Sequence, residues 1–99
     1  MIYYPDEAVT GSWADRILGL AGYNSNPSKM QAAIRQIYKH AICKLNVDSV
    51  NIVPFPMFKF MDGKDTNDYV ARVEPSDQGG EKLARGYANI ILKEWYLFL

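Results

Sequence analysis

The segment that most constrains this chain begins at Asn26-Pro27. Asn26 is a helix-capping residue type, and Pro27 suits the first helical position, where its missing N–H has no intrahelical partner to lose. Met30, Ile34, Ile37, Ala41 and Leu45 then recur at helical spacing and make one apolar stripe. Lys39, His40 and Lys44 stand in the last turns, where cations complement the helix dipole. The spacing predicts a helix from Pro27 to about Leu45 whose stripe is buried.

The flanking segments read as the sheet that this helix would cover. Met1–Tyr4 (MIYY) is a short apolar run of strand type, ended by Pro5. Ser49–Phe55 (SVNIVPF) is a second, β-rich run with Pro54 near its end. Parallel pairing of the two needs a crossover, and the Pro27 helix supplies one with the usual right hand. Between them, Ser12–Leu20 reads as a shorter helix with Trp13, Ile17 and Leu20 on one side, and Gly19 and Gly22 as stops.

After Phe55 comes a long connection with a polar centre, of a length rarely found in a small domain unless it covers something or acts. Ser76 then caps a second long helix, with Leu83, Tyr87, Ile90 and Ile91 as its buried face and Ala84 allowing close packing. This order predicts an α/β fold: a partial three-layer sandwich of two parallel strands with flanking helices, in a single partial domain over residues 1–99. MIYY begins without a lead-in, as in a domain cut open, and its other edge has no strand to pair with. Self-association, or pairing with a missing N-terminal portion, is therefore expected through Met1, Ile2, Tyr3 and Tyr4.

Composition narrows the function classes. Lys+Arg and Asp+Glu are both 11, so nothing electrostatic favours nucleic acid or an anionic membrane as partner. No apolar run approaches the ~20 residues of a membrane helix. Cys43 is the single cysteine, which excludes an internal disulfide and a cysteine zinc site and fits a reducing, cytoplasmic compartment. GxGxxG and P-loop patterns are absent, so no nucleotide cofactor is expected. Asp62, Asp65 and Asp68 stand three apart, unlike the alternating ligands of a calcium loop, and Asp62-Gly63 reads as a turn, so no metal is expected either. His40, the one histidine, reads as an exposed residue near a helix end.

The candidate site is a rim. In open α/β sheets ligands bind beyond the carboxyl ends of the strands, which would gather Asp6, Glu7, Asp68, Arg72 and Glu74. Glu74–Gly79 (EPSDQG), followed by Leu83-Ala84, resembles the C-terminal block of SGNH (GDSL-type) hydrolases. There a D-x-x-H-P motif precedes a glycine, an apolar-Ala pair and the last helix. The wider pattern of YYPDE, SWAD, GYNSNP, DGKDT and VEPS is similar to SGNH-like proteins of kinetoplastid protozoa.

The resemblance implies the C-terminal part of a flavodoxin-like SGNH domain, and acyl-ester substrates for a complete enzyme. It also implies that Glu74 occupies the position of the family's catalytic histidine and Ala71 that of its aspartate. The serine and asparagine blocks have no counterpart in the chain. A carboxylate with an ordinary pKa near ~4.3 activates serine poorly, and the favoured reading of Glu74 is a carboxylate just before a helix N-terminus, where the dipole favours negative charge. The expectation is a protein that is not hydrolytic by itself, with Asp68, Arg72 and Glu74 as rim candidates. The other expectation is a non-catalytic interaction module, working through an open strand edge and the apolar tail Trp95–Leu99.

Overall fold

Three helices carry the architecture: α1 (Trp13–Leu20), α2 (Pro27–His40) and α3 (Asp77–Leu97). They belong to a computed structural model that describes residues 13–23, 25–70 and 74–97. Helix α1 runs through Gly19 and stops at Gly22, which takes φ +77°, a conformation glycine adopts without strain. The Tyr23 N–H reaches the Leu18 carbonyl (2.9 Å) and the Gly22 N–H reaches that of Gly19 (3.1 Å). This pair of bonds is a Schellman motif, and it satisfies carbonyls the helix end would otherwise leave free. Leu18 and Tyr23, the residues at its two ends, are both buried.

Pro27 opens α2 as its sequence position suggested, but the Asn26 side chain makes no capping bond. Its Oδ1 accepts from the Ser28 hydroxyl instead (2.6 Å). The helix ends at His40 and tightens into a 3₁₀ turn over Ile42–Lys44, short of the predicted end at Leu45. Its buried face is Ile34, with Met30 and Tyr38 packed beside it. These residues are four apart, whereas Ile37, Ala41 and Leu45 of the predicted stripe are exposed.

The predicted α/β fold is not formed. Ser49–Phe55 makes no strand: Val47 and Val50 form an isolated antiparallel bridge around Ser49 (φ 65°), and the chain then runs irregularly to a 3₁₀ turn at Met57–Lys59. Val47, Val50 and Val53 are exposed, which a buried parallel strand would not permit. Pro54 and Pro56 each lack an N–H, so the segment cannot complete a ladder beyond Val53. The strands among the described residues are β1 (Tyr69–Val70) and β2 (Glu74–Pro75), antiparallel, with Tyr69 opposite Pro75 and Val70 opposite Glu74. A mainly helical chain with one short antiparallel ladder therefore replaces the three-layer sandwich of two parallel strands. MIYY (Met1, Ile2, Tyr3 and Tyr4), Asp6, Glu7, Ala71, Arg72 and the tail residues Phe98 and Leu99 lie outside the described residues.

The turn at Met57–Met61 joins two small cores. Phe58 faces α2, packs on Ile34 and meets Tyr38 edge to face, with ring centroids 5.4 Å apart. Met61 faces α3 with Tyr69 and Leu83, and Phe55, Met57 and Phe60 close around them. Phe55 also packs against Tyr87 of α3, at 3.9 Å between centroids. Gly86 makes room for this layer, because a Cβ there would lie 2.8 Å from Phe55 Cζ and 2.9 Å from Phe60 Cε1. The prolines that deny residues 54–56 a ladder thus leave Phe55 free to fill the core beneath α3.

Candidate functional site

Asp68 is the buried acid among the described residues, at 2% exposure. The short 3₁₀ turn Thr66–Asp68 carries it, and the Asp65 side chain opens that turn by accepting from the Asn67 N–H (2.9 Å). Across from it, Gln78 and Lys82 stand four apart on one face of α3. Lys82 Nζ lies 2.7 Å from Asp68 Oδ2, and Gln78 Nε2 donates to Asp68 Oδ1 (2.7 Å) and to Asp65 Oδ2 (2.9 Å).

The backbone is tied at the same place. Ser76 N–H donates to the Asp68 carbonyl (2.9 Å), and the Ser76 hydroxyl donates to the Asn67 carbonyl. The Ser76 oxygen in turn accepts from the Gly79 N–H (3.2 Å), so Ser76 caps α3 as its position suggested. Gly79 lies directly against this junction: a Cβ there would overlap the Asp68 carbonyl oxygen and stand 2.9 Å from Met61 Cε.

This arrangement is a clasp between loop and helix. Each Asp68 side-chain oxygen accepts from a donor of α3. Glu74, on β2 opposite Val70, is exposed, while Asp68 turns toward α3. The structure therefore separates two of the three rim candidates by environment, and Arg72, the third, is outside the described residues. Asp62 accepts from the Lys64 N–H (3.1 Å) and Asp65 is engaged as above, so the spaced carboxylates organise turns. Among the described residues no three His, Cys, Asp or Glu side chains come together as a metal site. His40 is exposed at the end of α2.

Gln78 and Lys82 were not foreseen from the sequence, although a cation and an amide at helical spacing form a ready donor pair for an acid. The Gly79 and Gly86 pair was a second signal. Both fall on the Leu83 side of a helix, where glycine is unfavourable unless a neighbour needs the space. Ala84, expected to allow close packing, is exposed.

The ionisable groups of this region follow from these contacts. The Asn67 N–H first, and then the Gln78 amide, hold the Asp65 carboxyl below its ordinary value. The hydrogen bond to Asp68 raises the Lys82 ammonium above its own. Burial pushes the Tyr69 phenol well upward, and the Gly63 backbone opposes that shift without completing a hydrogen bond to the buried hydroxyl.

The signs give a pH window. The depressed Asp65 contributes stability above its unfolded pKa of about 3.9, lost as pH falls through the lower folded value. Lys82 and Tyr69, both raised, contribute below their unfolded values of about 10, and that contribution is lost as pH rises toward the folded ones. The thermal unfolding midpoint is thus expected to fall at both extremes, with Tyr69→Phe removing part of the alkaline loss. Because Tyr69 Oη is buried without a partner, the same variant should be neutral or slightly stabilising at pH 7. An unchanged alkaline limb in Tyr69→Phe would show that the phenol is not held neutral by the fold.

No protein-family model, curated protein or solved structure matches the chain. No helix among the described residues is long and apolar enough to cross a membrane.

What remains is the surface. The C-terminal half of α3 exposes Ile91 (63%), Leu92 (56%) and Trp95 (63%). Beside it runs a shallow groove of about 390 Å³, lined by Asn51, Val53, Ile90, Ile91, Glu94 and Trp95. Tyr87 and Ile91, predicted to be buried, instead flank or form this exposed strip; Leu83 is the buried member of that set, with Ile90 between the two conditions. A second recess, of about 430 Å³, lies at the α1–α2 turn, where Ser25 Oγ donates to the Gly22 carbonyl and Asn26 Oδ1 accepts from Ser28.

Proposed function

We propose that this chain acts by binding rather than by chemistry, as a non-catalytic protein-interaction domain whose contact surface is the C-terminal half of α3. One observation carries the reading: Ile91, Leu92 and Trp95 stand exposed together beside the apolar groove at Val53 and Ile90. Contiguous apolar surface of this kind is characteristic of docking sites, and an exposed tryptophan is among the strongest anchors such a site can have.

The polar residues support the same reading. Asp68 is occupied by Lys82 and Gln78, and the Ser76 hydroxyl is committed to the Asn67 carbonyl and the Gly79 N–H. The likeness of Glu74–Gly79 to the SGNH block has a local counterpart. Pro75 closes the β1–β2 ladder, Ser76 caps α3 and Gly79 admits the Asp68 carbonyl, so the helix start needs that pattern for its own sake. A reducing, cytoplasmic setting is part of the proposal and suits the exposed free Cys43.

Two measurements test it. A fluorophosphonate probe should leave every serine unlabelled; a labelled Ser76 would overturn the non-catalytic reading. A photo-crosslinking residue at Leu92, compared with the same residue at exposed Lys39 on α2, should form protein adducts in the source cells from position 92 alone. Equal adducts, or none from position 92, would remove α3 as the contact surface.

A further inference from the structure

We infer that the exposed face of α2 is a seat for duplex DNA, with the helix lying in the major groove. The inference is separate from the α3 surface and stands or falls without it.

The charge balance of this chain is a balance of totals. Between Asp15 and Asp48 stand Arg16, Lys29, Arg35, Lys39 and Lys44 with no acidic residue among them, and all 11 acids fall outside that stretch. Helix α2 lies within it. Further along the chain cations are matched by acids: Lys64 meets Asp62, Lys82 meets Asp68 and Arg85 meets Glu81. Among the described residues no carboxylate pairs with Lys29, Lys39 or Lys44, and all three are exposed. Lys and Arg clustered along one helix are the electrostatic footprint of a nucleic-acid site.

The helix dipole explains only part of this stripe. Lys39 and His40 occupy the last turn, where cations are favourable. Lys29 stands near the opposite end, where the dipole favours an acid, and the first turn of α2 holds none. Arg35 and Lys39, four apart, repel each other. Neither placement helps the helix by itself, and both help a helix that lies against phosphates.

Geometry narrows the polyanion. Ile34 packs on Phe58 and fixes the inward direction of α2. At about 100° per residue, Ala32 and Gln36 fall within roughly 20° of the opposite pole. Arg35 and Lys39 lie on one side of that crest, and Lys29 and His40 on the other. The crest is short and neutral, and both flanks are long, cationic and exposed. The major groove of B-DNA admits one α-helix, with a phosphate backbone along each wall and base edges at its floor. Cations on both flanks then reach two backbones, and Gln36 faces the bases, where an amide pairs with adenine. A flat anionic surface, such as a membrane, would meet one flank and leave the other unused. The major groove of an RNA duplex is too deep and narrow to be read this way.

The experiment is fluorescence anisotropy of a labelled DNA duplex of about 20 base pairs, titrated with the purified chain between about 50 and 200 mM KCl, the range over which phosphate contacts are read. With Lys29, Arg35, Lys39 and Lys44 on phosphates, the logarithm of affinity should fall against that of KCl with a slope of about −3.6, roughly a 100-fold loss across the range. Lys29→Gln and, separately, Lys39→Gln should each flatten the slope by about 1. Lys93→Gln removes the same charge from an exposed position on α3 and should leave the slope unchanged. Circular dichroism checks that each variant keeps its helices.

A duplex left unbound at the lowest salt overturns the inference, and so does a slope indifferent to both α2 substitutions. An RNA duplex of the same sequence bound as tightly as the DNA would remove the major groove as the seat. Sedimentation with phosphatidylserine vesicles, without DNA binding, would put a membrane on α2 and sink the inference equally. None of these outcomes alters what the Leu92 crosslink says of α3.

Discussion

Gly79→Ala is expected to destabilise this protein by about 2 kcal/mol, lowering the unfolding midpoint by about 10 °C. Helix propensity predicts the opposite sign. Gly79 lies in the first turn of α3, where alanine is ordinarily better than glycine by about 0.5–1 kcal/mol. The difference is what the new methyl would meet. It would overlap the carbonyl oxygen of Asp68, a backbone atom fixed by the Ser76 N–H, and would press on Met61, which has no exposed surface. Neither neighbour can yield without opening the clasp or shifting the core beneath it.

Gly80 provides the control. A Cβ there meets nothing within 4 Å, so Gly80→Ala should follow propensity and stabilise by up to ~1 kcal/mol. Chemical denaturation of the two variants gives the comparison. If Gly79→Ala proves as stable as Gly80→Ala, α3 does not approach the loop this closely.

Lys82→Met is expected to lower the unfolding midpoint by several degrees, although Lys82 is a partly exposed side chain. The reason lies with its partner. Asp68 is 2% exposed, and without Lys82 its carboxylate keeps Gln78 as the one side-chain donor it is shown to have. A buried charge stripped of its counter-ion is strongly destabilising, while Lys82, at 41% exposure, can reach water when Asp68 is neutralised. Asp68→Asn should therefore be milder, on the order of 1 kcal/mol, because the amide oxygen still accepts a hydrogen bond. The double variant should lose less than the two single losses added together, since no buried charge is left to strand. Strict additivity would show that the 2.7 Å pair contributes little beyond its separate contacts.

These predictions concern a part of the molecule that was only half legible beforehand. Asp68 was singled out as a rim acid, but its partners lie ten and fourteen residues further on, so its role as a clasp could not be read from its own neighbourhood. Glu74 was singled out for the proline that follows it. That proline proves to end a two-residue strand on an exposed surface. The apolar run Ser49–Phe55 has strand composition, yet composition does not say what will lie beside it. In the fold its valines face outward while Phe55 turns under α3.

Most signals that act within a single turn of chain survived, although the Asn26 side chain does not cap α2. The start of α2 at Pro27, the stop of α1 at left-handed Gly22 and the Ser76 cap of α3 each depend on one residue's dihedral limits or on one short side-chain bond. No distant segment is needed to realise them. Which face of each helix is buried was settled differently. Phe58 drew Met30, Ile34 and Tyr38 inward and left Ile37 outside; Phe55 and Phe60 occupied the space at Gly86 and left Ile91 and Trp95 on the surface. Apolar periodicity marks several side chains as able to be buried, and a core this small covers only those that packing from far along the chain happens to reach.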